Sequence, residues 1–63
     1  MTNVNKWLKA IETALDSIDM ELQVFEYETF IVREVATGEI FDCHQDEMAQ
    51  ILGMSKPVFF NLV

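Results

Sequence analysis

The sequence predicts one small α+β domain over residues 1–63, made of an N-terminal helix, a β-hairpin and a pair of short C-terminal helices. Three observations carry that prediction. An apolar stripe at helical spacing runs through residues 3–21, β-branched and aromatic residues crowd residues 22–43, and residues 44–63 return to helical spacing with one glycine in their midst. A chain this short buries only about 60% of the surface it exposes when unfolded, so one domain is the ceiling and one protomer is marginally stable. Completion by a partner or by a second copy, as a homodimer, follows as an expectation. With 51% apolar residues, five Phe, one Tyr and one Trp, the chain is nonetheless rich in what a disordered chain lacks.

In the first segment Trp7, Leu8, Ile11, Ala14, Leu15, Ile18 and Leu22 recur at steps of three and four, which places them on one helical face. The spacing predicts a helix over about residues 3 to 21, capped by Thr2 or Asn3, with Trp7, Ile11, Leu15 and Ile18 packed against the rest of the domain. Its opposite face carries Glu12, Asp16 and Asp19, three carboxylates in a row. A hydrated face is the plainest account of such a row, and a recognition surface is the other.

Val24, Phe25, Tyr27, Thr29, Phe30, Ile31, Val32 and Val35 then favour strand. Thr37-Gly38 offers a tight turn, because glycine reaches positive φ without strain, and Ile40, Phe41 and Cys43 resume the extended pattern. A two-residue loop there puts Val35 opposite Ile40 and Arg33 opposite Asp42, and turns Phe30, Val32, Phe41 and Cys43 toward the first helix. No Gly or Pro stands between residues 2 and 37, so the junction near residues 19 to 24 is poorly marked. A helix continuing to Glu28 is the main alternative for residues 22–28.

Residues 45–63 read QDEMAQILGMSKPVFFNLV. Ser55 is a good N-cap, Pro57 is harmless in a first helical turn, and Met54 to Phe59 is the spacing of a hydrophobic staple, while Asp42 with Gln45 offers a cap for the helix before. The small Ala49, the Gly53 four residues later, and apolar Met48, Leu52, Met54, Phe59 and Leu62 make this stretch resemble the helix-turn-helix motif of DNA-binding regulators. That resemblance implies a C-terminal helix-turn-helix over residues 44–63 and a dimeric transcriptional regulator. It also implies a second helix that turns Ser55, Lys56, Pro57, Phe60 and Asn61 toward DNA, with Ser55, Lys56 and Asn61 as its polar contacts. This set holds one cation and one amide, whereas DNA readers use several phosphate contacts and several Arg, Lys, Asn or Gln side chains.

Charge points elsewhere. Eleven acids against four bases give −7, and between residues 10 and 55 the single base is Arg33, while every acid falls inside that stretch. Such a surface repels phosphate and anionic lipid, which argues against direct nucleic-acid or membrane contact, and attracts basic protein grooves. The lone Cys43 excludes an internal disulfide, no signal-peptide core precedes Glu12, and no apolar run approaches a membrane span, so a cytoplasmic setting is expected. Asp42, Cys43, His44, Asp46 and Glu47 are candidate ligands by type, yet a helical reading splits them around the axis and no metal is expected. Adjacent Cys43 and His44 make a poor nucleophile and base, and two glycines leave no phosphate loop, so neither enzyme nor cofactor is expected. The function the sequence favours is a small acidic regulator or inhibitor that binds a host or regulatory protein with a basic surface, one that itself handles nucleic acid, by presenting charge where phosphates would sit. Its expected contacts are Glu12, Asp16, Asp19, Glu21, Glu26 and Glu28. At the level of class, size and acidity resemble the short modulators encoded by bacteriophages.

Overall fold

The computed structural model describes residues 2–63, with side chains described from Val4 onward. Helix α1 (Thr2–Asp16) is followed by strands β1 (Met20–Glu26), β2 (Thr29–Glu34) and β3 (Ile40–His44), then by helices α2 (Gln45–Ile51) and α3 (Lys56–Phe60). The strands form one antiparallel meander in the order β1-β2-β3. The helices lie on one face of it, around a core of Ile11, Leu15, Phe30, Val32, Cys43, Met48, Ala49 and Phe59. Trp7 closes that core from the side of α1, with its ring centroid 5.4–6.0 Å from those of Phe25, Phe30, Phe59 and Phe60.

Helix α1 ends five residues before the predicted boundary at residue 21, at Asp16. Its last turn tightens, with Ser17 N–H bonded to Thr13 and Ala14 carbonyls and Ser17 Oγ donating to Ala14 O at 2.6 Å. Asp19 then takes φ 60°, a left-handed conformation that Asp tolerates better than most residues. Two expectations are corrected by this stop. Ile18 is an exposed turn residue and not a packed member of the stripe, and Leu22 belongs to a strand. Asp19 likewise leaves the helical row, so only Glu12 and Asp16 share that face of α1. The helical alternative for residues 22–28 is also excluded, since β1 covers residues 20–26. The expected cap at Thr2 or Asn3 rests on side chains outside the described ones.

A second hairpin, absent from the sequence reading, joins β1 to β2 through Tyr27 and Glu28, at φ 52° and 62°. Two consecutive positive φ values suit the right-handed twist of a two-residue hairpin, but Asn-Gly or Asp-Gly usually supplies them. Strand β1 adds a bulge between Leu22 and Val24. Met20, Leu22 and Phe25 are the half-buried positions of β1, a spacing that a regular strand of period two would split between faces. The extra residue restores them to one side.

Between β2 and β3, Glu34 N–H bonds Glu39 O at 2.8 Å, and Gly38 N–H bonds Glu34 O at 2.7 Å. The loop therefore has four residues, Val35 to Gly38, with Gly38 at φ 78°. Arg33 lies opposite Ile40, and Ile31 opposite Asp42, which corrects the pairing expected from a two-residue loop. The pairing moves by two residues, so faces are preserved: Phe30 and Cys43 are buried on the helix side, although Phe41 stays 36% exposed there.

Helix α2 is capped by His44, whose Nδ1 accepts from Asp46 N–H at 3.2 Å while Glu47 Oε1 accepts from His44 N–H at 2.9 Å. This capping box replaces the expected cap at Asp42, which the sheet holds in β3. At the other end Gly53 N–H bonds Gln50 O at 3.0 Å and Met54 N–H bonds Ala49 O at 2.9 Å, a Schellman arrangement with Gly53 at φ 69°. Ser55 caps α3. A Cβ at Gly53 would meet nothing within 4 Å, so any penalty there is one of backbone conformation. Gly53→Val should therefore be about 1–2 kcal/mol less stable than Gly53→Asn in urea unfolding, and equal midpoints would show that the turn relaxes at no cost.

Candidate interaction surface

The six carboxylates expected to contact a partner are all exposed, but the fold gathers only some of them. Glu12 and Asp16 from α1 and Glu21 from β1 line one open groove of about 400 Å³, together with Thr13, Met20, Leu22 and Gln23. The groove exists because α1 packs along β1 and the chain reverses within three residues between them. Glu21 is partly neutralised there by Arg33, whose Nη2 lies 2.7 Å and Nε 3.2 Å from Glu21 Oε1. At that exposure the pair adds at most about 1 kcal/mol to stability, but it employs the one base of the central stretch.

Asp19, Glu26 and Glu28 stand apart from the groove. Asp19 is tied by its carbonyl to Val35 N–H at 3.0 Å, beyond the groove's end. Glu26 sits five residues along β1 from Glu21, roughly 16 Å away by strand rise, and Glu28 occupies the hairpin tip with its carboxylate 3.6 Å from His44 Nε2. A second acidic set, Glu39, Asp42, Asp46 and Glu47, was not among the predicted contacts; it borders β3 and the start of α2. Their closeness in the chain is the signal that marks them, and three of them, Asp42, Asp46 and Glu47, already stand together among the candidate metal ligands.

The residues implied as DNA contacts are engaged within the chain. Ser55 Oγ accepts from Val58 N–H, Lys56 Nζ lies 3.7 Å from Asp46 Oδ1, and Asn61 Nδ2 donates to Pro57 O at 2.7 Å. Phe60 stacks on Trp7 with its ring at 6.0 Å, in place of projecting freely. Cys43 and His44 point to opposite faces of β3, so thiol and imidazole do not meet. The Cys43 thiol is raised above its ordinary pKa, first by burial and then by the nearby Glu47 and Asp42 carboxylates, which keeps it protonated at neutral pH.

The sequence matches no protein-family model, and no similar curated protein or solved structure was found. Among the described residues no helix is long and apolar enough to cross a membrane.

Proposed function

We propose that this chain is a small acidic regulator or inhibitor that binds a nucleic-acid-handling protein through that protein's basic surface, in the cytoplasm, where a lone thiol stays reduced. The observation that carries the reading is the convergence of Glu12, Asp16 and Glu21 on one groove of a body with net charge −7. Carboxylates held on a helix and a strand can occupy a cationic cleft in place of phosphates, and the surrounding field accelerates the encounter. Duplex DNA and this chain should then compete for the same target. Neutralising the three groove carboxylates together, Glu12→Gln, Asp16→Asn and Glu21→Gln, should slow association about tenfold at low salt, with a smaller difference at high salt. The same triple variant should unfold within a few degrees of the parent, because relief of the Glu12–Asp16 repulsion on α1 offsets loss of the exposed Glu21–Arg33 pair. Unchanged association, or a target that excess DNA does not displace, would refute charge mimicry.

A dimeric helix-turn-helix regulator is the second reading, and it is favoured by one observation, the Gly53 turn between α2 and α3 with Ala49 and Phe59 buried beside it. It requires Lys56 and Asn61 to exchange their present partners for DNA. Lys56→Ala with Asn61→Ala should abolish low-salt duplex binding under this reading and leave protein binding intact under the first.

A further inference from the structure

The two edges of the sheet are unequal. Strand β1 is interrupted by its bulge and packed along α1, whereas β3 runs regularly at the opposite edge. The bonds from Glu34 N–H to Glu39 O and from Gln45 N–H to Glu28 O fix which residues of the β3 segment face β2, namely 39, 41, 43 and 45. Ile40 and Asp42, in alternation with these, turn their amides and carbonyls outward. His44 also points its amide outward, but Glu47 already accepts it at 2.9 Å, so the open stretch ends there. Neither Pro nor a bulge interrupts this edge, and its guarding charges, Glu39 and Asp42, are acidic, so they repel an acidic strand and not a basic one.

The side chains around this edge are apolar and acidic. Ile40, 63% exposed, and Asp42 lie on the outer face of the sheet, and Phe41 lies partly exposed on the inner face. Glu39 adjoins them. Of the bases nearby, Arg33 across from Ile40 is turned to Glu21, and Lys56 is held by Asp46.

We propose that β3 takes up an extended segment of a basic protein as a fourth strand. The backbone groups of Ile40 and Asp42 supply main-chain hydrogen bonds, and alternation supplies selectivity: basic side chains of the segment fall on the outer face beside Asp42, apolar ones on the inner face beside Phe41. The proposal rests on the reading that the partner is basic and adds the conformation in which part of it is bound. A second copy is disfavoured by the same charge, since pairing two β3 edges joins two chains of −7 each.

The test uses an acetylated, amidated octapeptide of alternating Lys and Val, and a control in which the lysine backbone nitrogens are methylated. Both carry the same charge, but residues directly opposite each other share a face, so methylation removes the N–H groups that would reach Ile40 and Asp42. The plain peptide should slow amide exchange at Ile40 and Asp42 about tenfold, and the methylated one should bind about tenfold more weakly without that protection. Asp42→Pro removes an amide that β2 does not use, and should weaken the plain peptide by a similar factor. Equal binding of the two peptides overturns edge addition and leaves the basic-partner reading standing. Protection of Ile40 and Asp42 that grows with protein concentration in the absence of peptide overturns it in favour of a second copy. Failure of both peptides to bind overturns it and counts against the basic-partner reading as well.

Discussion

Trp7→Ala is expected to remove at least a third of the chain's folding stability. The indole meets the rings of Phe25, Phe30, Phe59 and Phe60, and its Nε1 donates to Phe59 O at 2.8 Å, a bond that ties the first turns of α1 to the last helix. Removing a large aromatic side chain from such a site costs about 3–5 kcal/mol. A domain of this size holds roughly 3–9 kcal/mol in total, so the loss consumes a third of it at least and all of it at worst. Trp7→Phe keeps one ring among the four and forfeits the hydrogen bond, so its cost should fall between the wild type and Trp7→Ala. Thermal unfolding followed by circular dichroism gives the check: Trp7→Ala should lower the midpoint by at least about 12 °C. A midpoint within a few degrees of the parent would mean that the ring cluster is not what closes the core.

The features that periodicity marks were readable in advance. The stripe of Trp7, Leu8, Ile11 and Leu15 lies on the inner face of α1, Phe30 and Val32 are buried as their alternation requires, and Gly53 and Ser55 punctuate the last two helices as their chemistry dictates. What escaped was structure with no residue to announce it. Tyr27 and Glu28 form a hairpin turn without the usual Gly or Asn, because the strands on either side pair strongly enough to impose positive φ on them. The bulge after Leu22 shows in sequence only as an apolar pattern out of phase. The end of α1 carries no glycine or proline, so Ile18 continued the stripe on paper while the chain had already turned.

Site residues were harder to read for a different reason. A sequence states how many carboxylates there are but not which ones meet, and of six expected contacts Glu12, Asp16 and Glu21 converge through the packing of α1 on β1. The engagement of Lys56 by Asp46 and of Asn61 by Pro57 joins residues whose meeting depends on how α2 and α3 cross or how α3 ends. Edge status is a property of strand order: the expected hairpin leaves both of its strands at an edge, and the pairing of β1 with β2 covers one of them and leaves Ile40 and Asp42 on the other.

Phe59→Ala carries the other large expected effect, and it separates the attachment of α3 from the stability of the sheet. Helix α3 has five residues, too few to persist unaided, and Phe59 is its single buried side chain. Truncation should cost about 3–5 kcal/mol if α3 and the sheet unfold together. If they do not, α3 detaches first, and amide exchange at Phe59 and Asn61 should rise far more than at Phe30 and Val32. Trp7 distinguishes these outcomes, because its hydrogen bond goes to the backbone of Phe59 and survives the truncation so long as α3 stays in place. Combining Phe59→Ala with Trp7→Phe should then give less than the sum of the two losses, by about 0.5–3 kcal/mol, since the two rings share one contact at 5.4 Å. Strict additivity, with exchange unchanged at Phe59 and Asn61, would show that α3 is held by contacts other than this ring pair.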